Sequence, residues 1–230
     1  MAEAKKYLNR IAERGQLIVV SGASGVGKRT IIKEYLKSHP KAIRCVSVTT
    51  RPMQPGEVDG EEHWFITNQE FERMIRTNQL FEYSYYNRVG YGTARAAVTQ
   101  ARDSGRNVIL IEDVAGAMRV RALCPDATLI FLLTPTWEEL EKRIRLRHQD
   151  KEEDEIQEFI SSAQEEILCA GQYDYILVND TITKTVNRFA QIIHGNRYRA
   201  ASMSGFLESY IESEITSKMA DELQAFDAQN

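Results

Sequence analysis

The chain has 230 residues, of which 43% are hydrophobic and 27% are charged, and its formal net charge at pH 7 is −4. This profile is typical of a globular protein with enough residues for a substantial hydrophobic core. A protein whose main task is to bind duplex nucleic acid usually carries a basic excess, so the charge argues against that class. No apolar run approaches the length of a membrane span, so we expect no membrane segment.

The cysteines and the N-terminal segment indicate a compartment. Cys45, Cys124 and Cys169 are far apart and show no CxxC spacing. Such a set indicates neither a disulfide framework nor a zinc site, and it suits a reducing environment. The segment MAEAKKYLNRIAERG is charged and lacks the apolar stretch of a signal peptide. We therefore expect a cytoplasmic protein.

Short apolar runs rich in β-branched residues alternate with longer amphipathic stretches. The runs are QLIVVS (16–21), AIRCVSV (42–48), NVILIE (107–112), TLIFLL (128–133) and YILV (175–178). Near-continuous apolar strands separated by helical segments predict an α/β fold, in which helices cover both faces of a parallel sheet. Between about 45 and 92 the pattern changes to turns, short strands and one short helix. This change predicts a small α+β insertion.

Two further helical regions follow toward the C-terminus. The segment 138–159 is dense in charge and predicts a helix ending near Arg147, a polar bend and a second helix starting in the acidic run. In the tail from about 200 to 230, apolar residues recur at helical spacing, which predicts an amphipathic helix that docks on the domain or contacts a partner protein. These residues are Phe206, Leu207, Tyr210, Ile211 and Ile215.

A glycine-rich turn lies between the first strand and a predicted helix. Gly22, Gly27 and Lys28 have the G-x-x-x-x-G-K spacing of a P-loop in that required context. Glycines let successive backbone N–H groups turn toward an anion, and the helix N-terminus adds its positive dipole end. Lys28 reaches the outer phosphates as a point charge. The expected phosphate-binding residues are Gly22, Ala23, Ser24, Gly25, Val26, Gly27, Lys28, Arg29 and Thr30.

Arg29 departs from this motif, which has Ser or Thr after the lysine because that hydroxyl binds Mg²⁺. A guanidinium is a permanent cation without an acceptor atom, so it cannot ligate a metal. Thr30 lies about 100° further around the helix and cannot simply replace the missing hydroxyl. Because Mg²⁺ commonly keeps several waters, we still expect it to accompany the nucleotide, with weaker or slower chemistry and no assigned protein ligand.

Further motifs follow the P-loop: SVTTRPMQPGEVDGEEHWF (47–65), LFEY (80–83), GYGT (90–93), VILIEDVAGA (108–117), KRIRLRHQD (142–150), AQEEI (163–167) and YDYILVND (173–180). In this order, after GASGVGK (22–28), they resemble the guanylate kinase family over about residues 15–195. The resemblance implies phosphoryl transfer from ATP, with Mg²⁺, to GMP. It also implies a domain over 1–195, with a core at 15–45 and 93–195, a GMP-binding insertion at about 46–92, a lid at about 143–158 and a helical extension at 196–230.

The resemblance assigns the acceptor site residue by residue. Ser47 and Thr93 match family residues that hydrogen-bond the guanine edge. Glu82 matches the carboxylate that accepts from the ring N–H and the amino group of guanine. A buried acceptor facing two donors discriminates strongly against a base that lacks them. Arg51 and Tyr91 match groups that hold the GMP phosphate, for which a guanidinium fork is well suited.

The resemblance also assigns cations to the transferring phosphoryl group. Arg143 and Arg147, four residues apart on one helix face, match arginines of the lid. In such reactions positioning and charge neutralisation supply nearly all of the catalysis. The alternative is an exposed helix face on which these arginines pair with Glu139 and Glu141. The expected catalytic residues are Lys28, Arg51, Arg143 and Arg147.

Besides Arg29, two positions depart from the family pattern at the GMP phosphate. Gln54 stands in place of a second phosphate-binding arginine, and His63 in place of a phosphate-binding tyrosine. Gln54 keeps a hydrogen bond but loses a charge, whereas His63 compensates in part if it is protonated near a phosphate. Both residues remain in the expected GMP site.

Two more departures lie in the core and after the lid. The family carries two aspartates, two residues apart on the third core strand; here Ile111 and Asp113 fill those places, and Asp113 stays in the expected GMP site. Glu112 is adjacent, but we expect it to face the opposite side of the sheet. Phe159 stands where another arginine is expected.

Three hypotheses follow from these matches and departures. The preserved guanine-binding residues favour an active guanylate kinase, with slow turnover or a shifted preference among monophosphates. The altered positions favour a guanylate-kinase-like module that has lost phosphoryl transfer but keeps nucleotide binding or a protein contact. A P-loop kinase for another small acceptor would also explain the altered pocket.

Overall fold

The computed structural model describes residues 14–86, 88–203, 207–208, 210–212 and 218. In this part of the chain the strands and α-helices alternate along most of the sequence. They are β1 (Leu17–Ser21), α1 (Lys28–Ser38), β2 (Ala42–Arg44), β3 (Val48–Thr49), β4 (Trp64–Phe65), α2 (Asn68–Arg76), β5 (Leu80–Tyr86), β6 (Val89–Ala94), α3 (Arg95–Asp103), β7 (Asn107–Ile111), α4 (Val114–Leu123), β8 (Thr128–Leu133), α5 (Trp137–Arg147), α6 (Glu153–Leu168), β9 (Tyr175–Val178) and α7 (Ile182–Asn196).

The central sheet has five parallel strands in the order β2-β7-β1-β8-β9. Alternating side chains of β1 enter two separate cores. Ile18 and Val20 pack with residues of α1 and α7, whereas Leu17 and Val19 pack with residues of α3 and α4. Because both faces of the strand are buried, its sequence is continuously apolar. The predicted α/β fold with helices on both faces is confirmed.

A second sheet has four strands in the order β4-β3-β6-β5. Helix α2 covers it through Phe71, which packs with Val48 and Leu80. Gly90 on β6 leaves room for this contact, because a Cβ there would lie 2.6 Å from the Phe71 ring. The predicted small α+β segment is therefore present and has a core of its own.

The run AIRCVSV (42–48) does not form the single strand that its pattern predicted. Ala42–Arg44 pairs with β7 in the central sheet, whereas Val48 pairs with Gly92 and Trp64 in the second sheet. The chain therefore crosses from one sheet to the other within this run. An apolar pattern reports burial and not the pairing partner, so the crossing left no local signal.

The charged region and the tail can be compared with their predictions in part. Helix α5 ends at Arg147 and α6 begins at Glu153, as the charge pattern predicted. In the tail, Leu207, Tyr210 and Ile211 are helical and exposed; Phe206 and Ile215 lie outside the described residues. A protein contact of this tail stays a prediction. Among the described helices, none is long and apolar enough to cross a membrane.

Candidate active site

The glycine-rich loop adopts backbone conformations that favour glycine. Gly22, Gly25 and Gly27 have φ angles of 138°, 81° and 101°, which side-chain-bearing residues rarely adopt. Gly27 directly precedes α1, so Lys28 is the first helical residue behind the loop. The loop thus joins the end of β1 to a helix N-terminus, the arrangement that binds phosphates in other proteins.

A buried asparagine after β9 holds this loop in place. The Nδ2 group of Asn179 donates to the carbonyl oxygen of Val26 at 2.8 Å, and its backbone N–H donates to Leu133 O at 2.7 Å. Its Oδ1 accepts from the hydroxyl of Thr185 on α7 at 3.2 Å. Sequence reasoning did not identify Asn179, although a polar residue directly after a buried strand is a usable signal.

The ammonium group of Lys28 lies against the loop, where it donates to the carbonyl oxygens of Gly22 and Ala23. Burial lowers its pKa to about 8, and the nearby Glu166 opposes this shift. The pKa of Glu166 is in turn raised by burial. A phosphate entering the site would supply the negative charge that such a desolvated ammonium favours.

A cavity of 560 Å³ opens in front of the loop. This volume is within the range of small-molecule sites. The cavity brings the phosphate loop together with arginines of α5 and with the segment that follows β7. Its lining consists of Gly22, Ala23, Ser24, Gly25, Gly27, Lys28, Arg29, Thr30, Ile111, Glu112, Asp113, Arg143, Leu146, Arg147 and Glu166.

Two of the three arginines of α5, Arg143 and Arg147, line the cavity, and Arg143 also makes an ion pair on the helix face. Arg143 donates through Nε to Glu139 at 2.8 Å, which is the pairing of the alternative hypothesis, yet it lines the cavity. Glu141 pairs instead with Arg145. Burial lowers the pKa of Arg147, which also lines the cavity. The helix-face pairing therefore does not remove these cations from the site.

Phe159 supports a contact between the C-terminal end of α5 and the phosphate loop. Its ring stacks on that of His148, with 3.9 Å between the ring centroids and 10° between the planes. Nε2 of His148 lies 3.2 Å from Oγ of Ser24 in the loop. Burial lowers the pKa of His148. The aromatic residue at this expected arginine position thus orients a histidine that touches the loop.

Two carboxyl groups meet at the hydroxyl of Thr93. Glu82 lies opposite Thr93 on the neighbouring strand and bonds to its side chain, while the Thr93 hydroxyl also lies 3.2 Å from Oε1 of Glu112. Burial raises the pKa of Glu82 to about 7, and burial together with Glu82 raises that of Glu112 well above its ordinary value. A single hydroxyl proton cannot serve two carboxylates, so the pair favours holding one additional proton.

Glu112 was expected to face away from Ile111; the two side chains have different partners, although both residues line the cavity. Ile111 packs with the core under α1 and α7, whereas Glu112 contacts Thr93. Thr93 is not remote from the site, because it belongs to the candidate guanine-binding pair. Sequence reasoning therefore missed Glu112, since the neighbouring sheet is not visible in the local pattern.

Arg51 lies in the second sheet region with its guanidinium already paired. It donates to both carboxylate oxygens of Glu57, at 2.9 and 2.7 Å, and bonds to the side chain of Tyr91. The hydrogen bonds that Glu57 accepts lower its pKa to about 2, and the bonds from Arg51 have the largest effect. Gln54 is exposed and donates its backbone N–H to Glu57. The expected phosphate residues Arg51 and Tyr91 are thus neighbours, with Glu57 in the guanidinium fork.

His63 connects helix α1 with the region of the second sheet. Its Nε2 lies 3.3 Å from Nη2 of Arg29, and its Nδ1 lies 3.0 Å from Oγ of Ser47. The ring also packs edge-on against Tyr91. Burial and then the nearby cation of Arg29 lower the pKa of His63 to about 4. This lowered pKa favours a neutral imidazole, whereas the expectation concerns a ring beside a bound phosphate and stays a prediction.

The structure offers oxygen ligands for a metal that arrives with a nucleotide. Within the described residues there is no group of three or more His, Cys, Asp or Glu side chains that could hold a metal ion. The carboxylates of Asp113 and Glu166 nevertheless line the cavity beside the phosphate loop. Mg²⁺ is commonly held by one or two carboxylates, substrate phosphates and water, so this donor set fits it.

A parallel sheet ending in a glycine-rich loop that faces a cationic helix defines a P-loop nucleotide-binding protein. The guanylate kinase family model matches residues 14–196, which is well over half of the chain. The chain therefore belongs to the guanylate kinase family.

Curated relatives and a solved structure agree with this placement. A guanylate kinase of Synechococcus sp. is 41% identical over 183 residues, which cover 80% of this chain and 84% of the relative. A guanylate kinase of Streptococcus thermophilus is 42% identical over 202 residues, covering 87% and 96%. The crystal structure of guanylate kinase from Anaplasma phagocytophilum has a TM-score of 0.67 at 26% identity and covers 81% of this chain and 88% of its own.

Proposed function

We propose that this guanylate kinase transfers the γ-phosphoryl group of ATP to GMP and releases ADP and GDP. The observation that carries the proposal is the position of the segment 111–113, which lines the phosphate cavity and also reaches the buried pair Glu82 and Thr93. The site for the ATP phosphates and a carboxylate suited to guanine therefore lie on opposite sides of the segment 111–113. The relatives named guanylate kinase support the same reaction.

On the donor side, the backbone N–H groups of 22–28 and the ammonium of Lys28 bind the ATP phosphates. Arg143 and Arg147 face them across the cavity and neutralise charge that develops during transfer. When bound, Mg²⁺ neutralises further phosphate charge, and Asp113 and Glu166 would hold it directly or through water. Phosphoryl transfer needs correct positioning and positive charge more than a nucleophilic side chain. Lys28, Arg143 and Arg147 supply groups of that type.

On the acceptor side, the carboxylate of Glu82 accepts hydrogen bonds from the ring N–H and amino group of guanine. Ser47 and Thr93 bond to other parts of the base edge, while Arg51 and Tyr91 bind the phosphate. A base without the two donors leaves a buried carboxylate unpaired, which costs about 1–3 kcal/mol or more. This penalty is the source of the proposed preference for GMP.

The proposal includes the organisation of the chain. The segment 46–92 binds GMP, the segment 143–158 is the lid, and the helical extension 196–230 contacts a protein partner through its apolar side. The exposed side chains of Leu207 and Ile211 support this last part. A cytoplasmic location suits the cysteines, which are free in the described structure.

The test is an assay of ADP formation with ATP, Mg²⁺ and each common nucleoside monophosphate. We expect GMP to support turnover, and we expect Lys28→Ala to lower kcat/KM by about tenfold or more, because a charged hydrogen bond contributes about 1.5–3 kcal/mol. Glu82→Gln leaves the phosphate loop unchanged, so it should raise KM for GMP and leave KM for ATP unchanged. Turnover with another monophosphate but not with GMP, or calorimetric GMP binding without turnover, would contradict the proposal.

A further inference from the structure

Two of the residues that depart from the family pattern contact each other. Arg29 is in the first turn of α1, and His63 is in the second sheet region, yet Nη2 of Arg29 lies 3.3 Å from Nε2 of His63. We infer that Arg29 belongs to the acceptor site, where His63 positions its guanidinium so that it binds the GMP phosphate as well as facing the ATP cavity. This inference rests on the proposed function.

The donor and acceptor atoms set the direction of the contact. Every nitrogen of a guanidinium is a donor, so Nε2 of His63 has to accept from Arg29. A neutral imidazole that accepts at Nε2 carries its proton on Nδ1. That Nδ1 group lies 3.0 Å from the hydroxyl oxygen of Ser47 and donates to it. The Ser47 oxygen is thereby used as an acceptor, and its own proton is directed to another partner such as the guanine edge.

The surroundings keep the His63 ring neutral and fixed. The ring is half-buried, and Arg29 and Arg51 both disfavour its protonation. Its edges pack against Phe65 and Tyr91, with centroid distances of 6.0 and 5.9 Å. A protonated ring would place an N–H donor against the guanidinium donor, so the contact itself opposes protonation.

The position of Arg29 fits a phosphate between the two substrates. Arg29 lines the cavity that contains the phosphate loop, and its charge lowers the pKa of Lys28, so the two cations are close. His63 connects it to Tyr91, which bonds to Arg51. A guanidinium has five N–H groups, so one hydrogen bond to His63 leaves four to bind an anion. A GMP phosphate held by Arg51 would meet Arg29 on the side that faces ATP.

This arrangement predicts that Arg29 and His63 act as a pair. Arg29→Ser would remove the donor that Nε2 of His63 requires, and His63→Phe would remove the acceptor that positions Arg29. In the double variant the contact is already absent, so the second substitution should raise KM for GMP by a smaller factor than it does in the wild-type protein. A role of Arg29 as a surface charge without contact to the acceptor would instead give independent effects.

The first experiment is a double-mutant cycle of Arg29→Ser and His63→Phe, measured by steady-state kinetics; phenylalanine is used because a tyrosine hydroxyl could itself bind the phosphate. We expect each single variant to raise KM for GMP by about fivefold or more, in line with the loss of one charge-assisted bond, while KM for ATP changes less. The double variant should show an increase clearly below the product of the single effects. Lys33→Ser removes a charge one turn further along α1 and should leave KM for GMP near the wild-type value. Fold-changes that multiply, or an Arg29→Ser variant with improved KM for GMP, would overturn the inference.

The second experiment does not need turnover and separates this inference from the proposed reaction. Nitrogen NMR of the folded protein should show His63 with its proton on Nδ1, and Arg29→Ser should raise the pKa of His63 toward its ordinary value. Calorimetry with GMP alone should show weaker binding to Arg29→Ser. If the wild type does not bind GMP, the proposed function fails; if both proteins bind GMP equally and His63 titrates unchanged, only the inference fails. Arg29→Lys, which keeps the charge but loses the planar fork, covers the case in which Arg29→Ser does not fold.

Discussion

The base pocket predicts that GMP binding depends on pH near neutrality. Guanine donates two hydrogen bonds to Glu82, so binding requires the carboxylate form. Burial raises the pKa of Glu82 to about 7, while Thr93 and Arg119 oppose this shift. Because the folded-state pKa is raised, the carboxylate is lost as the pH falls through about 7. From pH 8 to pH 6 the ionised fraction falls from about nine tenths to about one tenth, so KM for GMP should rise about tenfold.

Arg119→Gln tests the electrostatic origin of this dependence. Arg119 is on α4, its Nε and Nη2 atoms are buried without a hydrogen-bond partner among the described residues, and its charge lowers the pKa of both Glu82 and Glu112. Removing the charge should move the midpoint of the GMP pH profile to higher pH. Arg119→Lys keeps the charge and is the matched control, with a midpoint close to that of the wild type.

The assay is KM for GMP at saturating ATP, measured in half-unit steps from pH 6 to pH 8.5. A phosphate monoester itself titrates near pH 6, but that midpoint cannot follow a substitution on α4. The reasoning is refuted if KM for GMP is flat across this range. It is also refuted if Arg119→Gln shifts the midpoint downward or leaves it in place while the protein stays folded.

Three further substitutions test how the phosphate loop is supported. Asn179→Ala leaves the buried carbonyl of Val26 without its donor and should lower the free energy of unfolding in urea by about 1–3 kcal/mol; an unchanged midpoint would contradict this. Gly27→Ala places a Cβ 2.5 Å from Nδ2 of Asn179 at a φ angle of 101°, so calorimetry should show that ATP binding is lost, and wild-type affinity would refute the assignment. Phe159→Leu removes the ring stacked on His148 and should lower the free energy of unfolding by about 1 kcal/mol. It should also raise KM for ATP, whereas wild-type values of both would show that the stack is dispensable.

The fold could be predicted where the signal is local. The run at 16–21 became β1 at Leu17–Ser21, and the run at 128–133 became β8 with the same bounds, because buried parallel strands are continuously apolar. The strand at 42–48 could not be predicted correctly, because a change of sheet depends on partners that lie far away in sequence. The phosphate loop was predictable for the opposite reason, since spacing, strand and helix are all contained within about twenty residues.

The candidate site was only partly predictable from the sequence. Some of the missed residues carry a local sequence signal, and others do not. Glu166 continues the buried face of α6 after Ile160 and Ala163, so helical spacing could have placed it toward the core. Asn179 directly follows a strand and could have been found in the same way. The role of Glu112 depends on Thr93, which belongs to the other sheet, and no local pattern contains that information.

Residues that depart from a family pattern could each be interpreted as a separate loss of function. The contacts between these residues argue against that interpretation. Arg29 cannot ligate a metal and His63 cannot supply a tyrosine hydroxyl, but the guanidinium and the imidazole meet at 3.3 Å. Phe159 supplies no charge, but its ring holds His148 against the phosphate loop. Each of these side chains would be a defect if placed alone in an otherwise typical site, because its partner would be absent. The energetic effect of a departure therefore depends on which other departures accompany it, and single reversions such as Arg29→Ser should impair this enzyme.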